Sequence, residues 1–439
     1  MNKNARYLNT RSVLRIAAVF MSLLIILLSC ACKESDTQRV LSVWVYSEEY
    51  KKIVEYAVNN SGTNFAVPLD ITVVESSKLS EQLALAEQND LLPDVVMLSP
   101  DNMGKFINSD SSLPLSDSDL SSGLSAVEQE DYYSYALDLG RDYGGNLKAL
   151  CMNFDPGIFL YRRSMAKAYF GTDSPELVSA MLSSWDSFLG TAELVKLSSD
   201  GKTRIVAGHE DLIRPFFSSG FGWVNKSGDL SVPAAAADYL DFAEVMTERE
   251  YSYSAAQWSQ AWLAGMNDPQ AVFGYFLSGM GIKYILEPAC NEKDGSFGDW
   301  AAVAGPSPYS WSGAWLSIHS KSDMKKESAE LLRLLTADGD TVEKHCRYSR
   351  LFSARRDTAE RIKSNSQFQA PVLAGQNYYE VMYDSAARMN TAKGATEYDS
   401  IVRAALYDCA NSVTSGQKSR ADALMEFSAT VKAAVSAGE

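Results

Sequence analysis

Cysteine and histidine are scarce in this chain of 439 residues, which carries six Cys and three His. No Cys-x-x-Cys occurs, and His209, His319 and His345 form no close pair, so the spacings that hold zinc are absent. Cys151, Cys290, Cys346 and Cys409 stand far apart. In an oxidising compartment they leave room for one or two disulfides, although burial as small apolar groups is the commoner fate of such residues. Positive charge is short as well: 40 Lys and Arg against 55 Asp and Glu give a net charge of −15. So acidic a body disfavours nucleic acid, or an anionic membrane surface, as a partner. Catalytic signatures are missing too, with no His-Glu-x-x-His, Gly-x-Ser-x-Gly or Walker phosphate loop. A glycosidase needs only two carboxylates, which so many acids supply anywhere, so that chemistry leaves no readable trace. Neither a catalytic residue nor a cofactor or metal is expected.

Long apolar runs are absent, with one exception. Ile16–Leu28 is a 13-residue apolar stretch preceded by four basic residues and no acid. It is well short of the ~20 residues a spanning helix needs, so it reads as a cleaved export signal. It ends in Leu27-Leu28-Ser29-Cys30, which resembles a bacterial lipobox, in which the Cys is acylated and becomes the first mature residue. Cys30 is the expected lipidation site and Cys32 the fallback; an ordinary secretory signal or a membrane anchor is the alternative. Residues 1–29 are then signal peptide and 30–39 a lipidated tether. Four basic residues leave with the signal, so −15 becomes −19. Acyl chains, not a basic patch, would hold the protein at a membrane.

The remaining chain has 46% hydrophobic and 22% charged residues, an ordinary globular balance with length for two or three domains. Strand and helix patterns alternate. Val40–Tyr46, Leu69–Val74 and Pro93–Leu98 read as strands, and Glu48–Asn60 and Leu79–Gln88 as helices between them. That order predicts parallel strands with right-handed crossovers. A Ser/Asp-rich surface loop is expected over 109–125, a strand over 147–154, and helices over 185–197 and 233–249. A strand at 300–304 then precedes an aromatic turn, another strand and an amphipathic helix over 324–337.

Aromatic residues are the informative positive feature. Trp44 and Tyr46 fall at the C-terminal end of the first strand, where open α/β sheets bind ligands, and Glu48 follows on the turn into the helix. Asp94 brackets the third strand. Rings that stack on the C–H face of a sugar, with carboxylates to accept from its hydroxyls, suit carbohydrate; packing under a helix is the other reading of Trp44. Tyr309-Ser310-Trp311-Ser312-Gly313-Ala314-Trp315 places three aromatics in seven residues among Ser and Gly. Trp311 is the stronger contact candidate, and Trp315 starts a strand and leans toward the core. Trp223, on a Gly-flanked loop, and Tyr275, at an apolar strand end, read equally as contacts or core. Trp258 and Trp262, four apart, read as a helix packing stripe.

These segments, in this order, resemble the extracellular solute-binding proteins of ABC sugar importers, the family 1 group. The resemblance rests on the strand ending at Trp44 with Glu48 after it, and on Leu92-Pro93-Asp94-Val95-Val96. It continues through Ile158-Phe159-Leu160-Tyr161-Arg162, Ser184-Trp185-Asp186-Ser187-Phe188 and the Gly305-Pro306 to Trp315 stretch. It implies an α/β, two-lobed periplasmic-binding-protein-like fold, each lobe a mixed or parallel sheet flanked by helices, with several crossings between lobes. The implied segments are 40–150 and 299–345 for the N-lobe, and 151–298 and 346–439 for the C-lobe. The implied role is a monomeric, non-enzymatic receptor that captures a carbohydrate and hands it to the permease subunits of an ABC importer. Carried over by position, Trp44, Glu48, Asp94, Tyr161, Trp223, Tyr275, Trp311 and Arg355 fall where the family contacts ligand. Arg162 stands where Asn is usual and Ser312 interrupts a Gly-Gly pair; both bear on which solute is bound. A polyol, a sugar phosphate (drawn by Arg162 and Arg355) or a short peptide is the alternative ligand. An extracytoplasmic glycosidase or a structural lipoprotein is the alternative role.

Overall fold

The computed structural model describes residues 39–63, 65–116, 129–217, 234–253, 255–290, 295–389 and 396–438. The alternation Leu-x-Val-x-Val produces strand β1 (Leu41–Val45), whose Leu41, Val43 and Val45 are fully buried. Ser47 then caps the helix Glu48–Asn59 by accepting from the Tyr50 N–H at 3.3 Å, and Glu48 and Glu49 face its positive N-terminus. Ile53, Val54 and Ala57 form the buried stripe of that helix. The pattern repeats with β2 (Leu69–Val73), the helix Leu79–Gln88, β3 (Val95–Leu98) and the helix Pro100–Ile107. β1 lies between β2 and β3 and runs parallel to both, with Val43 opposite Ile71 and Val95.

Antiparallel strands complete the sheet. β7 (Ser310–Ile318) pairs with β3, Leu98 opposite Trp315, and on its other side with β4 (Ala149–Arg162). The main order is β2-β1-β3-β7-β4-β5. The second half of β4 pairs with β5 (Gly274–Ser278) and β6 (Trp300–Val303), and β8 (Phe352–Ser353) pairs with its middle. β4 therefore serves two groups of strands, one along Ala149–Pro156 and the other along Gly157–Arg162.

A strand ending at Phe154 was the expectation, because Asp155-Pro156-Gly157 reads as a break. Instead β4 runs on for 14 residues. The register against β7 shifts between Phe154 and Pro156, and the missing N–H of Pro156 falls at that irregularity. Gly157 fits for a steric reason: a Cβ there would meet the Tyr309 ring at 2.0 Å, and its N–H donates to the Tyr309 carbonyl at 2.7 Å.

Around the second half of β4 lies a core of Phe159, Phe188, Val195, Tyr239, Leu240, Phe273 and Phe276, closed by Leu406, Phe427 and Val431 from the last two helices. Each fully buried side chain of this size contributes roughly 1.5–3 kcal/mol. The helix Trp185–Ser198 enters through a reciprocal cap: Ser187 N–H to Ser184 Oγ at 3.2 Å, and Ser184 N–H to Ser187 Oγ at 2.9 Å. Around the first half, the helix Lys325–Thr336 packs on β4, β7 and the helix Glu48–Asn59. Cys151, Cys290, Cys346 and Cys409 are all free, buried thiols. No helix among the described residues is long and apolar enough to cross a membrane.

Candidate functional site

The site is built where β4 and β7 pass from one group of strands to the other. Tyr46, just beyond β1, donates its hydroxyl to the Gly313 carbonyl at 2.9 Å and meets the Tyr50 ring at 4.6 Å. Tyr50 in turn donates to Asn153 Oδ1 at 3.1 Å. Gly313 has no room for a side chain, since a Cβ would come within 2.5 Å of the Trp315 ring. Next along β4, the Asp155 carboxylate accepts from Ser278 Oγ at 2.5 Å, at the end of β5. Burial raises its pKa to about 7, against hydrogen bonds from Ser278, the backbone N–H groups of Met280 and Gly279, and Ser312. Asp155 thus ties β4 to β5 and to β7 at the irregularity.

An aromatic wall follows. Tyr309 is buried, with its hydroxyl within reach of the Leu277 and Ile158 carbonyls at 2.8 and 3.1 Å. Half-buried Trp311 lies 6.2 Å from the Tyr309 ring and 6.0 Å from the Trp258 ring. Trp258 is 52% exposed and sits in the left-handed region, at φ 69°. Its other neighbour is buried Trp262, 5.1 Å away. Below them Asp211 accepts from Trp262 Nε1 at 2.9 Å and Gln257 Nε2 at 3.0 Å, and Glu210 accepts from the Gln257 N–H at 2.6 Å. Burial raises the Asp211 pKa to about 7 as well. These carboxylates fix the strained turn that presents Trp258. Strain of this kind costs of order 1–3 kcal/mol and gathers at ligand-binding positions. Trp258 also lines an open hollow of about 740 Å³ with Leu263, Tyr284, Ile285 and Pro288. Above Trp311 lies the guanidinium of Arg214, 5.1 Å from the ring centre.

Across the junction, Glu49 reaches Lys283 at 3.3 Å and also the Tyr284 hydroxyl. On another side Tyr143 donates to Glu397 at 2.5 Å and Arg403 pairs with Asp101.

The residues singled out from sequence are distributed unevenly over this geometry. Tyr46 and Trp311 lie in it, half-buried. Trp44 is 9% exposed on β1, and Glu48 is exposed on the first turn of its helix. Asp94 is spent inside the fold: it accepts from the Ser42 N–H at 2.9 Å and from Ser322 Oγ at 2.6 Å. Tyr161, Tyr275 and Trp315 are fully buried, and donate to the carbonyls of Asp173, Trp262 and Ala136. Arg355 is buried between Asp131 and Asp357 at 3.0 and 2.8 Å. Burial would raise the Asp357 pKa, but Arg355 and Arg361 bring it down to about 2. Arg162 pairs with Asp299 at 2.8 Å and stacks on Trp300. Neither arginine named for a phosphate therefore has an open charge. Trp223 and Cys30 lie outside the described residues.

Trp258, Arg214 and Glu49 were not picked out from sequence. The four-residue spacing to Trp262 misdirects for Trp258, because the helix starts only at Gln260, with Ser259 as its cap. That Ser was the available signal. Nothing in a sequence shows that an arginine has no carboxylate beside it. Among the described residues no group of three or more His, Cys, Asp or Glu side chains is placed to hold a metal ion.

No protein-family model matches the chain, and no curated protein matches it. Solved structures do. One is an extracellular solute-binding protein of family 1, at 16% identity and TM-score 0.74, covering 90% of this chain and 99% of that one. Another is the sugar-binding protein MalE from Xanthomonas citri, at 17% identity and TM-score 0.72, covering 91% and 98%. A third is the cyclic α-maltosyl-1,6-maltose binding protein from Arthrobacter globiformis, at 13% identity and TM-score 0.66, covering 90% and 99%. The chain thus has the two-lobed α/β fold of the family 1 extracellular solute-binding proteins, the fold its sequence led us to expect.

Proposed function

We propose that this protein is the solute receptor of an ABC importer, a lipoprotein that captures a carbohydrate between its lobes and delivers it unaltered to membrane permease subunits. The observation that carries the reading is the wall of Trp311 and Trp258 at the β4–β7 junction, one ring half-buried and the other held exposed on a strained turn. Flat apolar faces at an open edge suit the C–H face of a sugar ring, and the hydroxyls and carboxylates around them suit its rim. Structural neighbours with the same fold bind sugars, which supports the class of ligand. In this reading β4 and β7 are the crossings about which the lobes close, and the ligand acts by favouring the closed state. The proposed lobes are 40–150 with 299–345, and 151–298 with 346–439.

Of the residues named from sequence, Tyr46, Trp44, Trp311 and Glu48 remain proposed contacts, with Trp258 added. A thermal-shift screen across sugars, polyols and oligopeptides tests the class directly. A saccharide that raises the melting temperature supports it; a response confined to peptides ends it. Turnover of a chromogenic glycoside would replace the receptor by a glycosidase. For the lipid anchor, Cys30→Ser should stop incorporation of labelled fatty acid, and labelling that persists would move the site to Cys32.

A further inference from the structure

We propose that the saccharide bound at this site bears a carboxylate, in the manner of a uronic acid, and that Arg214 is the residue that receives it. This rests on the carbohydrate reading and narrows it. Arg214 lies in the short helical segment Ile213–Phe216 and is half-buried. A guanidinium offers five N–H donors. Here one hydrogen bond is made, from Nη1 to the Trp311 carbonyl at 3.1 Å, while the group lies over the ring of the same residue. Among the described residues no carboxylate comes within ion-pair distance of it. Arginines of comparable burial are all matched: Arg162 by Asp299, Arg355 by Asp131 and Asp357, and Arg403 by Asp101.

The groups facing Arg214 sharpen the imbalance. They are Arg403, Asp101, Tyr135 and Tyr309, and the one acid among them is already engaged by Arg403. Two cations thus share one anion, a local positive excess inside a chain of net charge −15. Burial, and then the charge of Arg403, lower the Arg214 pKa to about 10, so it stays protonated at neutral pH. A desolvated cation without a counter-charge is unfavourable, and a ligand that supplies the counter-charge gains what the protein has left unspent.

A carboxylate fits better than a phosphate. One guanidinium fork matches the two oxygens of a carboxylate, and one charge matches one charge. A phosphate dianion asks for a second cation, and Arg162 and Arg355 are closed to it. Trp311 would then do two things: hold the guanidinium in plane through stacking, and offer its remaining surface to the sugar beside Trp258.

The experiment uses the purified protein and a panel of glucuronate, galacturonate and mannuronate oligomers, each beside its neutral methyl ester, with glucose 1-phosphate as a further arm. An acid that raises the melting temperature, with affinity at least tenfold above its ester, supports the proposal. So does Arg214→Gln if it removes the preference for acid over ester. Equal or stronger binding of the esters, or of neutral sugars, overturns the carboxylate while leaving the carbohydrate reading in place. Stronger binding of glucose 1-phosphate also overturns it. If no saccharide of any charge binds, the carbohydrate reading falls with it. Should Arg214→Gln fail to fold, the acid–ester comparison on the unaltered protein decides.

Discussion

Arg214 lies over the Trp311 ring with 5.1 Å to its centre, and donates to the backbone carbonyl of that same residue at 3.1 Å. One residue thus fixes a cation by both its face and its main chain. Replacing Trp311 by Ala should remove the ligand-induced rise in melting temperature. Unliganded stability should fall by only about 1–2 kcal/mol, less than for a fully buried tryptophan. Trp311→Phe should retain part of the response. Differential scanning fluorimetry with and without saccharide separates these; an intact ligand response in the Ala variant would remove Trp311 from the site.

The left-handed backbone at Trp258 gives a second comparison. Glycine adopts that region freely, whereas alanine does not. Trp258→Gly should therefore be more stable than Trp258→Ala by about 1 kcal/mol in urea denaturation. Both should weaken saccharide binding. If the Ala variant is the more stable of the two, the turn is not strained.

Asp155 sets a pH dependence. Its folded pKa of about 7 exceeds the ordinary carboxylate value of 3.8, so the folded state holds a proton the unfolded state has released. Its contribution is favourable at low pH and is lost as pH rises from about 4 through 7, at up to about 1.4 kcal/mol per unit. Asp211, raised to about 7, and Asp399, raised to about 6, act in the same direction. His345, lowered by burial to about 4, opposes them. Comparing unaltered protein with Asp155→Asn cancels those other groups. The stability of the variant relative to the unaltered protein should increase between pH 5 and pH 7 and level off above about pH 8. A difference that is flat in pH would mean Asp155 is ionised throughout.

Glu49 is the fourth case. It holds Lys283 and the Tyr284 hydroxyl across the junction, on partly exposed side chains. Glu49→Ala should enlarge the radius of gyration of the unliganded protein in small-angle scattering, and saturating ligand should restore it. No change in the unliganded value would make the contact incidental to closure.

Much of the fold was legible because it follows local rules. β1, the helix Glu48–Asn59 and the capped helix at Ser184 come within a residue or two of expectation, since alternation, helical stripes and Ser caps act over a few residues. β4 was not, because its path through Asp155-Pro156-Gly157 depends on Tyr309 and β7, far away in sequence. The site divided in the same way. An aromatic cluster at 309–315 is visible in sequence, but which ring faces out is decided by partners. Trp315 finds the Ala136 carbonyl and goes inside. Trp258 meets a strained turn and goes outside. Asp94 looked like a ligand contact because it follows a Leu-Pro turn, yet two donors from Ser42 and Ser322 claim it.

β7 comes late in the chain yet lies between β3 and β4. Until residues 310–318 have been made, β3 has no neighbour on that side and the first half of β4 lacks its main partner. The ribosome must therefore complete three-quarters of the polypeptide before the central ladder can zip, and a shorter nascent chain cannot lock into its final shape.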